Sequence, residues 1–244
     1  MRNIKLTLII PAYNEEKIIK RTVSVVLNFL LKKKYGWEVI VVDDGSSDST
    51  YALVSEIAMK EKRVKVVRIK KNSGKGTALR VGISKANGEY IVFSDADLSV
   101  PIKNVDKFIK ILEKDADVVI GSRRVEGAEI VVHQPWLREN MGRFYTFLTK
   151  VYLSMDIADF TCGFKGFKKQ VAKRIFKKSL IDRWAYDSEI MFLVKKYGYE
   201  VVQTPVVWRN REDTRVNLGK AVAESFRDLL SIRVNELLGK YNSN

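Results

Sequence analysis

Short apolar runs rich in β-branched residues recur through the first half of the chain, and a longer stretch with helical spacing follows most of them. The predicted strands cover 6–10, 38–42, 64–69, 90–94 and 117–121, and the predicted helices cover 15–33, 48–59, 76–86 and 102–113. Because these strands are apolar on both faces, they predict a mostly parallel sheet covered by helices on both sides. Ligands of such sheets bind at the carboxyl ends of the strands, so functional residues are expected there.

The pattern loosens after residue 122. It predicts an irregular loop at 124–137, helices at 138–154, 184–197 and 217–238, and strands at 163–168 and 199–207. The last helix is apolar on one side and carries interspersed lysine and arginine, which suits either packing on the sheet or contact with a membrane surface. We therefore predict one catalytic domain over 1–216 and a C-terminal amphipathic helix over 217–244.

The chain has 244 residues, enough for one substantial core, and a net charge of +15. Such a charge suits nucleic acid, anionic lipid headgroups or phosphorylated small molecules as partners. Part of this positive charge is explained equally well by lysine residues that only keep helix surfaces hydrated and bind no partner. Nucleic-acid binding is disfavoured, because no RNA-binding or helix-turn-helix motif is present and the acidic strand ends described below would be unexplained.

The cysteine and histidine content narrows the chemistry further. Cys162 is the single cysteine, which excludes an intrachain disulfide, suits a reducing compartment and favours a role as a small core residue. His133 is the only histidine, which argues against a zinc site. No stretch approaches the roughly 20 apolar residues of a spanning helix, and the first residues lack the features of a signal peptide. We expect a cytoplasmic location, peripheral to the cytoplasmic face of a membrane.

Acidic and polar clusters follow three of the predicted strands, at 11–16, 43–46 and 95–97. Each taken alone could be a helix cap, because Asp and Ser are common at helix N-termini. Three such clusters at the carboxyl ends of one parallel sheet instead favour a binding site. A Rossmann dehydrogenase is disfavoured, because the first strand leads into PAYNEE and not into a GxGxxG turn.

Asp95 and Asp97 stand two residues apart just after an apolar strand, so an extended backbone places both carboxylates on one face. Two carboxylates this close repel each other unless a cation lies between them. Mg²⁺ and Mn²⁺ favour such oxygen ligands and usually bind substrate phosphate oxygens as well. The pair therefore predicts a divalent metal that contacts a diphosphate and offsets its charge as it departs.

Five segments of the chain, in their order, resemble family-two glycosyltransferases of the GT-A fold. They are IPAYNEE, VVDDGSSDST, KNSGKGTALRVGI, DADLS and GSR. That resemblance implies a Rossmann-like three-layer α/β/α sandwich with a mostly parallel sheet. The later segments DFTCGFKGF and RWAYDSEIMF, with the tail through SIRVNELLG, look most like dolichyl-phosphate glucosyltransferases, and next like dolichyl-phosphate mannose synthases. The implied activity is inverting transfer of a hexose, glucose or mannose, from UDP-glucose or GDP-mannose to dolichyl or polyprenyl phosphate.

The resemblance also implies roles for individual residues. The nucleotide-sugar-binding residues it indicates are Pro11, Tyr13, Glu15, Asp43, Asp44, Lys75, Asp95 and Arg123. Asp43 matches the carboxylate that reads the base, and Arg123 matches the arginine of GSR near the phosphates. Asp95 and Asp97 would ligate Mg²⁺ or Mn²⁺, and Asp97, Arg123 and Asp187 are the implied catalytic residues. Mannose synthases often carry Gln where this chain has Ser99, which leaves a third metal ligand open.

The acceptor decides whether the enzyme needs a general base. An alcohol needs one, whereas a phosphate monoester has a second pKa of about 6 and is largely ionised at neutral pH. A phosphate instead needs cations, and arginine binds it bidentately. We predict Arg138, Arg143 and Arg215 as acceptor-phosphate residues, with surface arginines as the alternative. Asp187 is predicted to contact the sugar or the acceptor, with simple helix capping as the alternative.

One rival activity and several molecular identities stay open at this point. A transferase that uses a soluble or glycan hydroxyl, with Asp187 as base, is the nearest enzymatic rival. Four aromatic residues could floor a polyprenyl groove, although core packing is favoured for them; they are Trp136, Phe144, Tyr145 and Phe147. The sequence leaves the sugar, the nucleotide base, the polyprenol length and the oligomeric state undecided.

Overall fold

A computed structural model describes residues 4–114, 116–210 and 218–242. The strands are β1 Ile4–Ala12, β2 Gly36–Asp43, β3 Val64–Arg68, β4 Tyr90–Phe93, β5 Val118–Ser122, β6 Glu129–Val132, β7 Lys165–Lys168, β8 Val201–Pro205 and β9 Val207–Arg209. The helices are α1 Ile19–Leu30, α2 Thr50–Lys60, α3 Lys75–Lys85, α4 Asn104–Leu112, α5 Trp136–Leu153, α6 Lys169–Lys178, α7 Tyr186–Lys196 and α8 Leu218–Leu237.

Seven strands form one sheet in the order β3-β2-β1-β4-β7-β5-β8. All neighbouring pairs are parallel except those of β7, which runs antiparallel to both β4 and β5. The predicted mostly parallel sheet is therefore confirmed. A second, two-stranded parallel sheet pairs β6 with β9. The carboxyl ends of β1, β2 and β4 lie side by side at one edge of the large sheet, and we call this edge the carboxyl edge.

The large sheet has a fully buried core on each face, which explains why its strands are apolar on both sides. Ile9 and Ile40 point into the core beneath α3, α6 and α7, whereas their neighbours Leu8 and Val39 point into the core beneath α1, α2 and α4. This alternation follows from the two-residue period of a strand. Helices on both faces produce the three layers that the pattern predicted.

The structure corrects the sequence interpretation in two places. The segment 124–137 is not an irregular loop, because it contains β6 and the first residues of α5. The helix α6 was not predicted at all, since its sequence KQVAKRIFKK is dominated by lysine and arginine. Its buried residues recur with helical spacing, and they are Val171, Ala172, Ile175 and Phe176.

Helix α8 buries one set of apolar residues and exposes another. Leu229 and Ile232 are buried, whereas Leu230, Val234 and Leu237 are exposed. The predicted boundary between residues 216 and 217 lies outside the described residues and stays a prediction. Within the described ranges, no helix has both the length and the apolar character needed to cross a bilayer.

Candidate active site at the carboxyl edge of the sheet

Asp95 and Asp97 lie in a tight turn directly after β4. The amide of Leu98 donates to the carbonyl of Asp95 at 3.1 Å, and Leu98 has a positive φ of 52°. The carboxylate of Asp97 accepts hydrogen bonds from the amide and hydroxyl of Ser99, at 2.8 and 2.7 Å. The turn thus fixes both carboxylates at the carboxyl edge, and Ser99 supports Asp97 through its hydroxyl.

Asp95 also contacts the two segments that surround the turn. Lys75 Nζ donates a hydrogen bond to Asp95 Oδ1 and forms an ion pair with it. On the other side, any Cβ at Gly163 would collide with the Asp95 carboxylate. Only glycine at position 163 allows the 159–164 loop to approach Asp95 this closely. Burial would lower the pKa of Lys75, but Asp95, Tyr186 and Asp187 outweigh it and raise that pKa.

Asp43 and Asp44 are adjacent at the end of β2 but have different partners. Asp44 accepts three hydrogen bonds from the loop after β3, from Asn72 Nδ2 at 3.0 Å, the amide of Ser73 at 2.9 Å and the amide of Gly74 at 2.7 Å. Burial raises the pKa of Asp44, and the two amides act against this rise. The structure therefore gives Asp44 the role of holding the 72–76 loop, while its predicted nucleotide contact stays a prediction.

Asp43 carries an unsatisfied buried oxygen. Its Oδ1 accepts a hydrogen bond from the amide of Ser46 at 3.3 Å. Arg68 Nε lies 3.3 Å from Oδ2 but without hydrogen-bond geometry, so Oδ2 has no hydrogen-bond partner among the described residues. Buried polar atoms are normally paired. A buried carboxylate oxygen at the carboxyl edge that has an ion pair with Arg68 but accepts no hydrogen bond fits the predicted contact between Asp43 and a nucleobase.

The loop after β1 lies next to that carboxylate. Asn14 has a positive φ of 55°, and its amide donates to Ser46 Oγ at 2.9 Å. The amide of Glu15 donates to Thr50 Oγ1 at 2.7 Å, whereas the ring of Tyr13 is exposed. Pro11 lies one residue before the end of β1, opposite Val42 of β2. The segment that carries Pro11, Tyr13 and Glu15 thus lies at the same edge as Asp43, and their contact with a nucleotide stays a prediction.

Arg123 forms a bidentate ion pair with Asp159, a residue to which sequence reasoning assigned no role. Its Nε and Nη2 donate to the two carboxylate oxygens of Asp159 at 2.7 and 2.8 Å, and Nη2 also donates to Thr161 Oγ1. Burial would raise the pKa of Asp159, but the charge and hydrogen bonds of Arg123 outweigh it and hold that pKa well below the usual range. Arg123 is thereby fixed near the edge, and its predicted phosphate contact stays a prediction.

Asp187 lies in the first turn of α7 and pairs with the fully buried Lys165. Lys165 Nζ donates to Asp187 Oδ1 at 2.5 Å and to the carbonyls of Phe160 and Cys162 at 2.9 and 2.7 Å. Burial raises the pKa of Asp187, although Lys165 and Lys75 act against the rise. The helix-capping alternative is wrong, because Ala185 occupies the N-cap position and no side chain caps this helix.

Two of the predicted acceptor cations belong to α5. Arg138 and Arg143 are both in α5, and Nη2 of the exposed Arg143 donates to Glu139 at 2.8 Å. Glu139 also contacts His133 at 3.1 Å. Arg215 lies outside the described residues. Helix α5 approaches the carboxyl edge through Tyr145. The hydroxyl of Tyr145 lies 2.9 Å from Oγ of Ser188, the residue after Asp187.

Helices α5 and α8 expose apolar residues at helical spacing. On α5, Trp136 is 79% exposed and Phe147 is 60% exposed, so core packing is the wrong interpretation for them and for the exposed Phe144. The two helices contact each other, since Phe226 packs edge-on against Tyr145 at 6.4 Å. We call the exposed apolar residues of both helices, with Leu238 directly after α8, the apolar face; they are Trp136, Leu137, Phe144, Phe147, Val151, Leu230, Val234, Leu237 and Leu238.

Comparison with known proteins identifies the family. The model of glycosyl transferase family 2 matches residues 7–176, which is more than half of the chain. The chain belongs to glycosyl transferase family 2. It is 31% identical to a dolichyl-phosphate beta-glucosyltransferase of Dictyostelium discoideum, over 97% of this chain and 76% of that protein. It is 30% identical to a human enzyme of the same name, over 97% of this chain and 77% of the human protein.

Solved structures agree on the fold. The glucosyl-3-phosphoglycerate synthase of Mycobacterium tuberculosis, crystallised with Mn²⁺ and UDP-glucose, superposes with a TM-score of 0.66 at 19% identity, covering 94% of this chain and 79% of that one. The mannosyl-3-phosphoglycerate synthase of Rubrobacter xylanophilus superposes with a TM-score of 0.69 at 15% identity, covering 98% of this chain and 76% of that one. The GT-A fold is thereby confirmed, and this family-2 chain is a glycosyltransferase.

The structure of this family-2 enzyme brings most of the predicted site residues together and adds others. Asp95 accepts a hydrogen bond from Lys75, and Asp187 interacts electrostatically with the same lysine. Sequence reasoning missed Lys165, although a lysine in the middle of the apolar run FKGF is the signal that could have found it. A charge in such a run needs a buried partner.

Proposed function

We propose that this enzyme transfers a glucosyl residue from UDP-glucose to dolichyl or another polyprenyl phosphate, with inversion at the sugar carbon. One observation carries the proposal. The family-2 match ends at residue 176, whereas the similarity to dolichyl-phosphate beta-glucosyltransferases extends over 97% of the chain. The similarity therefore includes α7 and α8, which lie beyond the segment shared by the wider family.

The donor binds at the carboxyl edge in this proposal. The Oδ2 atom of Asp43, which accepts no hydrogen bond from the described residues, accepts one from the uracil ring, and the exposed ring of Tyr13 packs beside the nucleoside. Asp44 keeps the 72–76 loop in place beneath the ribose through its three hydrogen bonds. Lys75 forms an ion pair with Asp95 and is therefore close enough to interact with the negative charge of a diphosphate that binds there.

Asp95 and Asp97 suit a divalent cation, Mg²⁺ or Mn²⁺. Within the described residues no group of three or more potential ligands is present, so the protein supplies two carboxylates and the diphosphate supplies oxygens. That arrangement is typical of magnesium sites, which retain water and substrate phosphate as ligands. When bound, the cation would neutralise charge on the departing nucleotide. Asp97 would keep its orientation through Ser99.

The acceptor phosphate needs cations rather than a base. A phosphate monoester is largely dianionic at neutral pH, so its oxygen attacks without losing a proton. Arg138 and Arg143 on α5, together with Arg215, are the residues that we propose to hold it. Asp187 then stays ionised beside Lys165 and orients the sugar hydroxyls.

The lipid tail of the acceptor lies along a membrane in this proposal. The apolar face is drawn from two helices that contact each other, and contiguous exposed apolar residues mark interaction surfaces. The excess of positive charge favours an anionic surface, because each basic residue near it adds about 1 kcal/mol. We propose peripheral contact at the cytoplasmic face, which suits a chain whose one cysteine is free and buried.

A hydroxyl acceptor is the second candidate. It is favoured by the raised pKa of Asp187, which burial causes and which would make this carboxylate a better general base. Against it stands the ion pair with Lys165, because protonation of Asp187 would leave a buried ammonium group without its partner.

A transfer assay separates the two candidates. The enzyme is incubated with radiolabelled UDP-glucose or GDP-mannose and dolichyl phosphate in detergent, with Mg²⁺, Mn²⁺ or EDTA. We expect label in the organic phase with UDP-glucose and a divalent ion, and none with EDTA. Label that stays in the aqueous phase on an added glycan would instead support the hydroxyl acceptor.

The acceptor cations have a separate test. Arg215→Ala is expected to raise the apparent KM for dolichyl phosphate and to leave the KM for UDP-glucose unchanged, because the proposed contact is with the acceptor only. Arg174→Ala is a matched control, since Arg174 packs on Tyr197 away from the carboxyl edge. An unchanged lipid dependence in Arg215→Ala would remove this residue from the acceptor site.

A further inference from the structure

Tyr241, in the turn after α8, is fully buried although it lies near the end of the described chain. Its ring packs against Phe192 of α7 at 5.9 Å, and its carbonyl accepts a hydrogen bond from the hydroxyl of Tyr197 at 2.8 Å. Its own hydroxyl donates to Glu189 Oε1 at 2.6 Å. The C-terminal turn is thus anchored inside the domain by a polar contact.

Glu189 is a fully buried carboxylate of α7 that the proposed reaction does not use. Besides Tyr241, it accepts hydrogen bonds from the amides of Leu180 and Ile181, at 2.8 and 2.9 Å. Burial raises the pKa of Glu189, and these three donors act against the rise. The carboxylate therefore joins the C-terminal turn to the 179–183 segment.

The 179–183 segment supports the loop that the donor site needs. The carbonyl of Asp182 accepts a hydrogen bond from the amide of Gly76 at 2.8 Å, and its side chain accepts one from Thr77 Oγ1 at 2.7 Å. A Cβ at Gly74 or Gly76 would collide with the carbonyls of Asp182 and Ile181. The 72–76 loop is therefore held between Asp44 on one side and the 179–183 segment on the other.

We propose that Tyr241 and Glu189 are positioning residues for the donor site, which act through the 179–183 segment on the 72–76 loop. The inference rests on the proposed donor function of that loop. Neither residue touches the loop directly. The contacts to Glu189 end on a fully buried carboxylate and the amide of Gly76 is buried, whereas the side-chain contact of Thr77 with Asp182 is exposed. Buried polar groups are costly to leave unpaired. Removal of the Tyr241 hydroxyl therefore loosens the support of Gly76 and Thr77.

The first test uses Tyr241→Phe, which removes only the hydroxyl. We expect the Kd for UDP, measured by calorimetry, and the KM for UDP-glucose to rise roughly fivefold to tenfold, which is the size expected for loss of one ordinary hydrogen bond. The KM for dolichyl phosphate should not change. Tyr199→Phe is the matched control, because its hydroxyl contacts the surface residue Arg174 at 3.3 Å, and it should bind UDP like the parent.

The second test does not depend on the nucleotide. Hydrogen exchange at the amides of residues 74–77 should be faster in Tyr241→Phe than in the parent or in Tyr199→Phe. Glu189→Gln should give the same change, and the double variant should add little, because both residues act on one network. If Tyr241→Phe lowers the Tm but leaves both exchange and UDP binding unchanged, its role is structural and the inference is wrong. If the parent protein binds neither UDP nor GDP, the donor assignment fails, and the exchange result alone decides the positioning role.

Discussion

The proposed donor side and the proposed acceptor side of the site are built differently. On the donor side, the carboxylates at the ends of β2 and β4 are fixed by short hydrogen bonds, as with Asp44 to the 72–76 loop and Asp97 to Ser99. On the acceptor side, α5 and α8 present exposed apolar residues such as Phe147 and Leu237. A nucleotide is recognised by polar atoms at fixed positions, whereas a lipid surface requires apolar area without exact geometry.

This difference implies that single changes act differently on the two sides. A substitution on the donor side should remove activity or stability, because each polar group there has specific partners. A substitution on the apolar face should leave the fold intact and weaken only membrane contact. The following expectations test this contrast, from the largest effect to the smallest.

Asp97→Ala should reduce transfer at least roughly 100-fold, because metal contacts contribute several kcal/mol to stabilising the departing charge. The Tm should stay close to that of the parent, since the side-chain hydrogen bonds of Asp97 are confined to Ser99 in its own turn. Ser99→Ala is the control and should lose far less activity, because the backbone amide still supports Asp97. Full activity in Asp97→Ala, or in excess EDTA, contradicts the metal assignment.

Lys165→Met should lower the free energy of unfolding by about 3–5 kcal/mol, because it leaves the Asp187 carboxylate buried without its partner. Urea titration measures this loss. Adding Asp187→Leu to Lys165→Met should recover much of it, since both charges are then gone. Lys168→Met is the control, with an expected loss of about 1 kcal/mol or less, because its pair with Asp117 is partly exposed. A Lys165→Met variant as stable as this control would show that the buried pair is not needed.

Asp159→Asn should lower the free energy of unfolding by about 2 kcal/mol at pH 7, because it weakens two charge-assisted hydrogen bonds from Arg123. Arg123 lowers the pKa of Asp159 below its ordinary value of 3.8, against the effect of burial. The ionised carboxylate therefore stabilises the fold fully above that value, and this stabilisation is lost as the pH falls toward the folded pKa. The difference between parent and variant should shrink by about 1 kcal/mol at pH 3. A difference that stays constant from pH 7 to pH 3 would exclude this account.

Phe144→Ser and Leu237→Ser should change the free energy of unfolding by no more than about 0.5 kcal/mol, because both side chains are exposed. Each should reduce sedimentation with vesicles of phosphatidylcholine and phosphatidylserine that contain dolichyl phosphate. Met59→Ser is the matched control, since Met59 is an exposed apolar residue on α2. Equal vesicle binding by all three variants and the parent would remove the apolar face from the membrane contact.

The donor side could be largely predicted from sequence, because its signals are local. Three of the apolar runs end in a polar cluster, and a parallel sheet brings Asp43 and Asp95 to one edge. The different tasks of Asp43 and Asp44 could not be predicted, since they depend on a loop about 30 residues away. The acceptor side was predicted less well. The pairing of β6 with β9 and of Lys165 with Asp187 joins distant segments, and no local pattern encodes such contacts.

The reversed direction of β7 has a consequence for how the site is assembled. A parallel strand between β4 and β5 would start at the far edge of the sheet, with its entering loop about 10–13 Å from the carboxyl edge. Because β7 runs the other way, the residues that enter it, from Asp159 to Gly163, arrive beside Asp95. One strand orientation thus lets the segment from Asp159 to Lys165 supply partners for both Arg123 and Asp187.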